Sequence, residues 1–89
     1  MIEVAFSKTF KRAFRKRVKG DKATEDLFWE RVEAFIRDPY DERLRTHKLS
    51  GKLKDLWSFS VAYDLRVIFS FVEEQRAVFV DIGKHDEVY

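Results

Sequence analysis

The sequence contains no cysteine and no apolar run longer than Ala77–Val80. The first absence removes disulfides and thiolate metal sites as supports for the fold, and it removes thiol chemistry from the candidate mechanisms. The second falls far short of the roughly 20 apolar residues that a membrane-spanning helix requires. Glu3 and Lys8 interrupt the N-terminus before the apolar centre of a signal peptide can form. A soluble cytoplasmic protein without a membrane partner is therefore expected. A chain of 89 residues has room for one core, so residues 1–89 are read as a single domain. Nine Phe, three Tyr and two Trp supply large side chains to fill it.

Positive charge is concentrated in two places. Residues 8–22 carry Lys8, Lys11, Arg12, Arg15, Lys16, Arg17, Lys19 and Lys22 against one acid, Asp21. Residues 43–54 carry Arg43, Arg45, Lys48, Lys52 and Lys54 with no acid. Such local excess draws polyanions to a surface. A solvated helix face and a solvated loop are the plainer explanations.

Hydrophobic periodicity orders the elements. Residues 2–6 read as a short strand, and Ser7 is placed to cap the helix that follows. Phe10, Ala13, Phe14 and Val18 then recur at helical spacing up to Gly20. Thr24 is the expected cap of a second helix with the stripe Phe28, Val32, Phe35 and Ile36, ended by Asp38-Pro39. Residues 40–56 show no period and read as a long loop, which on a small domain usually carries function. Beyond it the period becomes two: Trp57, Phe59 and Val61 alternate with Ser58, Ser60 and Ala62. Tyr63-Asp64 read as a turn, and residues 65–72 and 76–82 as a hairpin closed by Glu73-Glu74-Gln75. The order β-α-α-β-β-β predicts an α+β fold, a mainly antiparallel sheet with a helical hairpin on one face.

Few side chains here can move protons near neutral pH. His47 lies in the basic loop and His85 just past the last strand, each beside a lysine (Lys48 and Lys84), and an unperturbed imidazole titrates near pH 6.5. Arg66 interrupts an otherwise apolar strand, where a charge is costly unless it reaches a rim or a partner. Either it pairs with Asp64 or Asp81, or it points into a cleft and awaits an anion. Asp64 suits a turn as well as a catalytic carboxylate. Tyr89 is either frayed or docked back as a platform for a nucleobase. Imidazoles for proton transfer and guanidinium for phosphate are what metal-free cleavage of RNA at a ribose 2′-hydroxyl requires.

Three stretches together resemble a known family: His47–Phe59 with its Leu-Ser-Gly-Lys-Leu and Leu-Trp-Ser segments, Tyr63–Phe69, and Asp81–Tyr89 with Gly-Lys-His-Asp-Glu-Val-Tyr. They resemble the RelE/ParE superfamily of type II toxin–antitoxin toxins, in particular the RelE and YafQ-like mRNA interferases. The resemblance implies a RelE-like fold and a metal-independent endoribonuclease, without a cofactor, that cleaves mRNA in the ribosomal A site and inhibits translation until an antitoxin binds. It places His47, Asp64 and His85 at catalytic positions, Arg66 at the phosphate-binding arginine and Tyr89 at the C-terminal aromatic. Lys52 and Lys54 resemble a basic pair of RelE. Lys48, Lys84, Lys11, Arg12 and Arg15 are read as further RNA contacts. Ser60 stands where YafQ-like toxins have another histidine, and His85 where RelE has arginine. The alternative is a ParE-like inhibitor of DNA gyrase, or a member that binds ribosome or antitoxin without catalysis.

If both imidazoles transfer protons, cleavage rate plotted against pH is bell-shaped around neutrality. His47→Ala or His85→Ala cleaving at the parental rate removes that residue from the mechanism.

Overall fold

The computed structural model describes residues 1–51 and 55–89. Its elements are β1 (Glu3–Phe6), α1 (Lys8–Arg17), α2 (Lys22–Arg37), a 3-10 turn (Glu42–Leu44), β2 (His47–Lys48), β3 (Trp57–Ala62), β4 (Leu65–Glu73), β5 (Arg76–Gly83) and α3 (His85–Val88). Among the described residues the strands form one sheet in the order β1-β5-β4-β3-β2. β1 pairs with β5 in parallel, and the remaining neighbours are antiparallel. The α+β architecture and the helical hairpin are as the periodicity predicts. No helix among the described residues is long and apolar enough to cross a membrane.

Local chemistry accounts for the helix boundaries. The Ser7 hydroxyl accepts the Phe10 N–H at 3.0 Å, satisfying one of the free donors of the first turn of α1. α1 ends at Arg17, and Gly20 takes a φ of 102° that turns the chain back. This early turn moves the start of α2. Asp21, and not Thr24, is the cap: its carboxylate accepts the Thr24 N–H at 3.2 Å and the Thr24 hydroxyl at 2.8 Å. These bonds hold the Asp21 carboxyl below the ordinary carboxylate range, the Thr24 side chain contributing most. α1 pays for its charge in helix stability, since Lys8/Arg12, Lys11/Arg15 and Arg12/Lys16 are like-charge neighbours one turn apart. Each such pair opposes the helix by about 0.2–0.5 kcal/mol.

Side chains of β3 and β4 alternate between the two faces of the sheet, and Ser58 and Ile68 are buried on the face away from Phe59 and Val67. Phe59, Val61, Val67 and Phe69 are buried against the helices, with α1 over β5 and α2 over β3. Phe69 of β4 pairs with Phe79 of β5 but Ile68 with Asp81, so Val80 of β5 is an extra residue. That bulge resets the alternation and lets both Phe79 and Ile82 reach the core. Phe35 of α2 sits 4.9 Å from Phe69, 5.1 Å from Phe59 and 5.4 Å from Phe79, ring centre to ring centre. All four rings are inaccessible to solvent. At its two ends, β1 is anchored by hydrogen bonds from Glu3 N–H to the Gln75 carbonyl (2.8 Å) and from Ser7 N–H to the Phe79 carbonyl (3.0 Å).

Two segments depart from expectation. The loop over residues 40–56 contains the 3-10 turn, which Asp41 caps by accepting the Arg43 N–H, and the two-residue strand β2, which borrows its order from β3. Residues 85–88 form a helical turn, an element absent from the expected order β-α-α-β-β-β.

Phe79 contacts rings from β1, α1, α2, β3 and β4. Phe79→Ala is expected to cost about 3–5 kcal/mol in urea-induced unfolding, as loss of a large core ring does. A loss below about 1 kcal/mol contradicts this placement of the core.

Candidate functional site

The face of the sheet away from the helical hairpin carries the polar residues. Cross-strand pairs share a face, so the pairings His47↔Ser58 and Ser60↔Arg66 put these four residues side by side across β2, β3 and β4. A cleft of about 710 Å³ opens at the β3–β4 turn, lined by Arg31, Arg43, Arg45, His47, Ser60, Val61, Ala62, Tyr63, Asp64 and Arg66. Four guanidiniums face one carboxylate there. Such an excess of positive charge in one cleft attracts anions.

Most of the charged side chains are held by a neighbour. Arg66 Nη1 donates to Asp64 Oδ1 at 3.3 Å, so the pairing foreseen with Asp64 and the place in a cleft occur together. Asp81 is instead engaged by Arg17. Arg43 grips Asp41 through Nε and Nη2, both at 3.1 Å. That grip, with the Arg43 N–H, lowers the Asp41 pKa to about 2. A depressed carboxylate contributes fully above its unfolded value and loses that contribution as pH falls through the folded one. Arg43 is thus fixed throughout the range above about pH 4. Arg31 lies 2.9 Å from Glu30, while Arg45 has no ion pair among the described residues. Arg45 adopts a left-handed backbone, φ 50°, at the end of the 3-10 turn. Its carbonyl lies 3.1 Å from His47 Nδ1. A carbonyl only accepts, so Nδ1 is the donor in this bond, which in the neutral imidazole leaves Nε2 as the acceptor.

His85 and Tyr89 do not line the cleft. They approach it through Ser58: the Tyr89 hydroxyl donates to Ser58 Oγ at 2.7 Å, and Ser58 is the cross-strand partner of His47. The His85 ring packs edge-on against Tyr89 at 4.5 Å. Tyr89 is therefore docked and not frayed. Lys48 pairs with Trp57 on the face opposite His47. Lys84 is exposed at the start of α3, and Lys11, Arg12 and Arg15 lie on α1 away from the cleft. Lys52 and Lys54 fall outside the described residues. Sequence reasoning placed Arg43 and Arg45 in the basic run without assigning them to the site, and it missed Arg31 and Ser58. Arg31 had no local signal, because only the packing of α2 over β3 brings it to the cleft.

The family model described as bacterial toxin of type II toxin-antitoxin system, YafQ, matches residues 2–89. The chain belongs to that family. No curated protein matches the toxin by sequence. Among solved structures, a metal-bound toxin from Helicobacter pylori is 23% identical with TM-score 0.79, covering 100% of each chain. YafQ from E. coli is 16% identical with TM-score 0.76, covering 100% of the toxin and 99% of that chain. The YoeB–YefM complex from Staphylococcus aureus is 13% identical with TM-score 0.75, covering 96% of the toxin and 98% of that chain. At these identities the likeness is one of fold. No group of three or more His, Asp or Glu among the toxin's described residues is placed to hold a metal ion.

An ion-pair cluster ties the C-terminal turn to the rest of the toxin. Arg17, the last residue of α1, donates from Nη1 to the Ile82 carbonyl at 2.9 Å and to Asp81 at 3.3 Å. Its Nε lies 3.6 Å from Glu87 and is buried without a hydrogen bond. Glu87 in turn accepts the Lys84 N–H at 2.7 Å. Gly83 leaves room for this: a Cβ there would sit 2.7 Å from Arg17 Nη1 and 3.0 Å from Glu87 Cβ. The guanidinium end can swing aside, but the Glu87 Cβ is fixed to α3. Gly83→Ala is therefore expected to lift α3, costing roughly 1–3 kcal/mol and moving the His85 and Tyr89 ring signals in NMR spectra towards those of an unpacked tail. Unchanged ring signals contradict the packing described.

Proposed function

We propose that the toxin is a ribosome-dependent, metal-independent endoribonuclease acting on mRNA in the cytoplasm, silenced by a cognate antitoxin. The observation that carries this reading is the meeting of His47, Asp64 and Arg66 in one arginine-lined cleft at the β3–β4 turn. Membership of the YafQ family and likeness to a toxin solved with its antitoxin support the partner.

The chemistry follows from the groups present. The RNA phosphate binds Arg66, with Arg31, Arg43 and Arg45 taking the flanking backbone. His47 Nε2, free to accept because Nδ1 donates to the Arg45 carbonyl, removes the proton from the ribose 2′-hydroxyl. The 2′-oxygen bonds to phosphorus, and the bond from phosphorus to the 5′-oxygen breaks. Where the bound RNA extends from the cleft to Tyr89, His85 delivers a proton to that departing oxygen. Arg66 stabilises the charge that builds on the phosphate, and Asp64 holds its guanidinium in place. Tyr89, fixed through Ser58, offers a ring for an adjacent base to stack on. Lys48 and Lys84 add attraction for ribosomal or messenger RNA, and Lys52 and Lys54 add to the positive charge of the same stretch of sequence.

The test is mRNA cleavage on translating ribosomes, with a melting curve for each variant. Arg66→Ala is expected to lose about 100- to 1,000-fold in rate, roughly 3–4 kcal/mol of transition-state stabilisation, while melting as the parent does. Arg66→Lys recovers part of the loss, because one ammonium cannot reproduce the fork. Excess EDTA, added after the ribosomes are stabilised with polyamine, leaves the rate unchanged. Arg66→Ala melting far below the parent makes Arg66 a structural partner of Asp64. Normal cleavage by a folded Arg66→Ala transfers the phosphate role to the neighbouring arginines.

A further inference from the structure

We infer that Tyr63 is a stacking platform for the base on the 5′ side of the cleaved bond, a second nucleobase subsite besides Tyr89. The inference deepens the ribonuclease reading and rests on it for the identity of the ligand. Tyr63 lines the cleft together with His47, Asp64 and Arg66. It is fully exposed (100%), and no other large apolar or aromatic residue among those described is as open. Both faces of the ring are therefore free. Other rings that reach the surface lean on neighbours: Trp29 on Phe28 at 4.8 Å, Tyr40 on Trp57 at 6.0 Å and Tyr89 on His85 at 4.5 Å.

The backbone accounts for where this ring stands. Between the pairs Ser60↔Arg66 and Ala62↔Leu65, β3 takes two steps against one of β4, so Val61 is an extra residue. Such a bulge bends its strand and re-aims the side chains around it, and bulges gather beside functional sites. Tyr63 and Asp64 then close the turn without a left-handed backbone. Turns favour Gly, Pro, Asn, Asp and Ser, and none of their reasons calls for a large ring. Asp64 fits that preference and also holds Arg66. The Tyr63 ring serves neither the turn nor the core.

The order of residues along β3 assigns the ring its base. Ser58 accepts the Tyr89 hydroxyl, Ser60 pairs with Arg66, and Tyr63 follows at the turn. From Ser58 to Tyr63 the chain spans up to roughly 16 Å, with Arg66 between the two tyrosines. An RNA strand whose phosphate sits on Arg66 therefore has a ring on either side. Tyr89 packs against His85, which serves the departing 5′-oxygen, so Tyr89 takes the base on the 3′ side. Tyr63 takes the base on the 5′ side. Stacked there, that nucleotide cannot swing, and its 2′-hydroxyl stays aligned with phosphorus.

The experiment measures kcat/KM on ribosomes programmed with a short mRNA, made abasic on one or the other side of the cleaved bond. Tyr63→Ala is expected to lower kcat/KM about 5- to 150-fold, the usual loss for one stacked base, without lowering the melting temperature. Tyr63→Phe cleaves as the parent does and Tyr63→Leu does not, because the planar face carries the effect. Removing the 5′-side base slows the parent as much as Tyr63→Ala does, and slows Tyr63→Ala no further. Removing the 3′-side base slows both proteins alike. Binding is read separately, by NMR titration of the full-length toxin with a short single-stranded oligonucleotide of 2′-deoxyribose, which cannot undergo internal attack. The Tyr63 ring signals are expected to shift. Parental cleavage by Tyr63→Ala, losses that multiply with the 5′-side abasic site, or unmoved Tyr63 ring signals overturn the inference. A parent toxin that cleaves no mRNA overturns the ribonuclease reading, while the Tyr63 ring shift still decides the stacking site.

Discussion

The register between β3 and β4 is the constraint on which the rest of the toxin depends. With Phe59 opposite Val67 and Ser60 opposite Arg66, apolar side chains on both strands face the helices and polar ones face the cleft. A slip of one residue would exchange the two sets, burying Arg66 and exposing Phe69. The Phe35, Phe59, Phe69 and Phe79 cluster penalises that slip heavily, because each ring fills space no other ring reaches. The core thus does more than stabilise. It sets which face Arg66 occupies, and with it the position of His47 through the short strand β2.

Two basic surfaces with different chemistry emerge from this frame. Three of the cleft's four arginines are steadied by carboxylates, Arg43 by Asp41, Arg31 by Glu30 and Arg66 by Asp64. Guanidiniums held by carboxylates keep their geometry while retaining donors for a phosphate. A groove between α1 and α2 sets Lys11, Arg15, Lys19 and Glu25 beside Phe14, Phe28 and Trp29. Arg17 stands apart from both sets, since its charge is spent on Asp81 and Glu87 to hold α3 over the sheet. The C-terminal residues His85 and Tyr89 owe their place to the end of the first helix, far from them in sequence.

Much of this was legible from residues alone. Period-two alternation from Trp57 onward and the helical stripes of Phe10, Ala13 and Phe14 and of Phe28, Val32 and Phe35 set out the sheet and the hairpin. Arg66 stood out because a charge among β-branched and aromatic residues needs a reason. What escaped was decided by contacts distant in sequence or by competition between neighbours. Asp21 displaced Thr24 as a helix cap because Gly20 turned the chain sooner. β2 has no propensity of its own and forms by pairing with Ser58 and Trp57. Arg31 reaches the cleft only because α2 packs over β3, and α3 forms because Glu87 can bond both Lys84 N–H and Arg17.

The central claim is that the cleft cleaves RNA by internal attack of the ribose 2′-hydroxyl, with side chains moving both protons. The most direct measurement is the chemical identity of the ends left on mRNA by the toxin on translating ribosomes. Internal attack leaves a 2′,3′-cyclic phosphate on one fragment and a free 5′-hydroxyl on the other. That pair of ends is the result the account predicts. A 3′-hydroxyl facing a 5′-phosphate is the signature of water attacking phosphorus, and finding it would contradict the mechanism proposed for His47, Arg66 and His85.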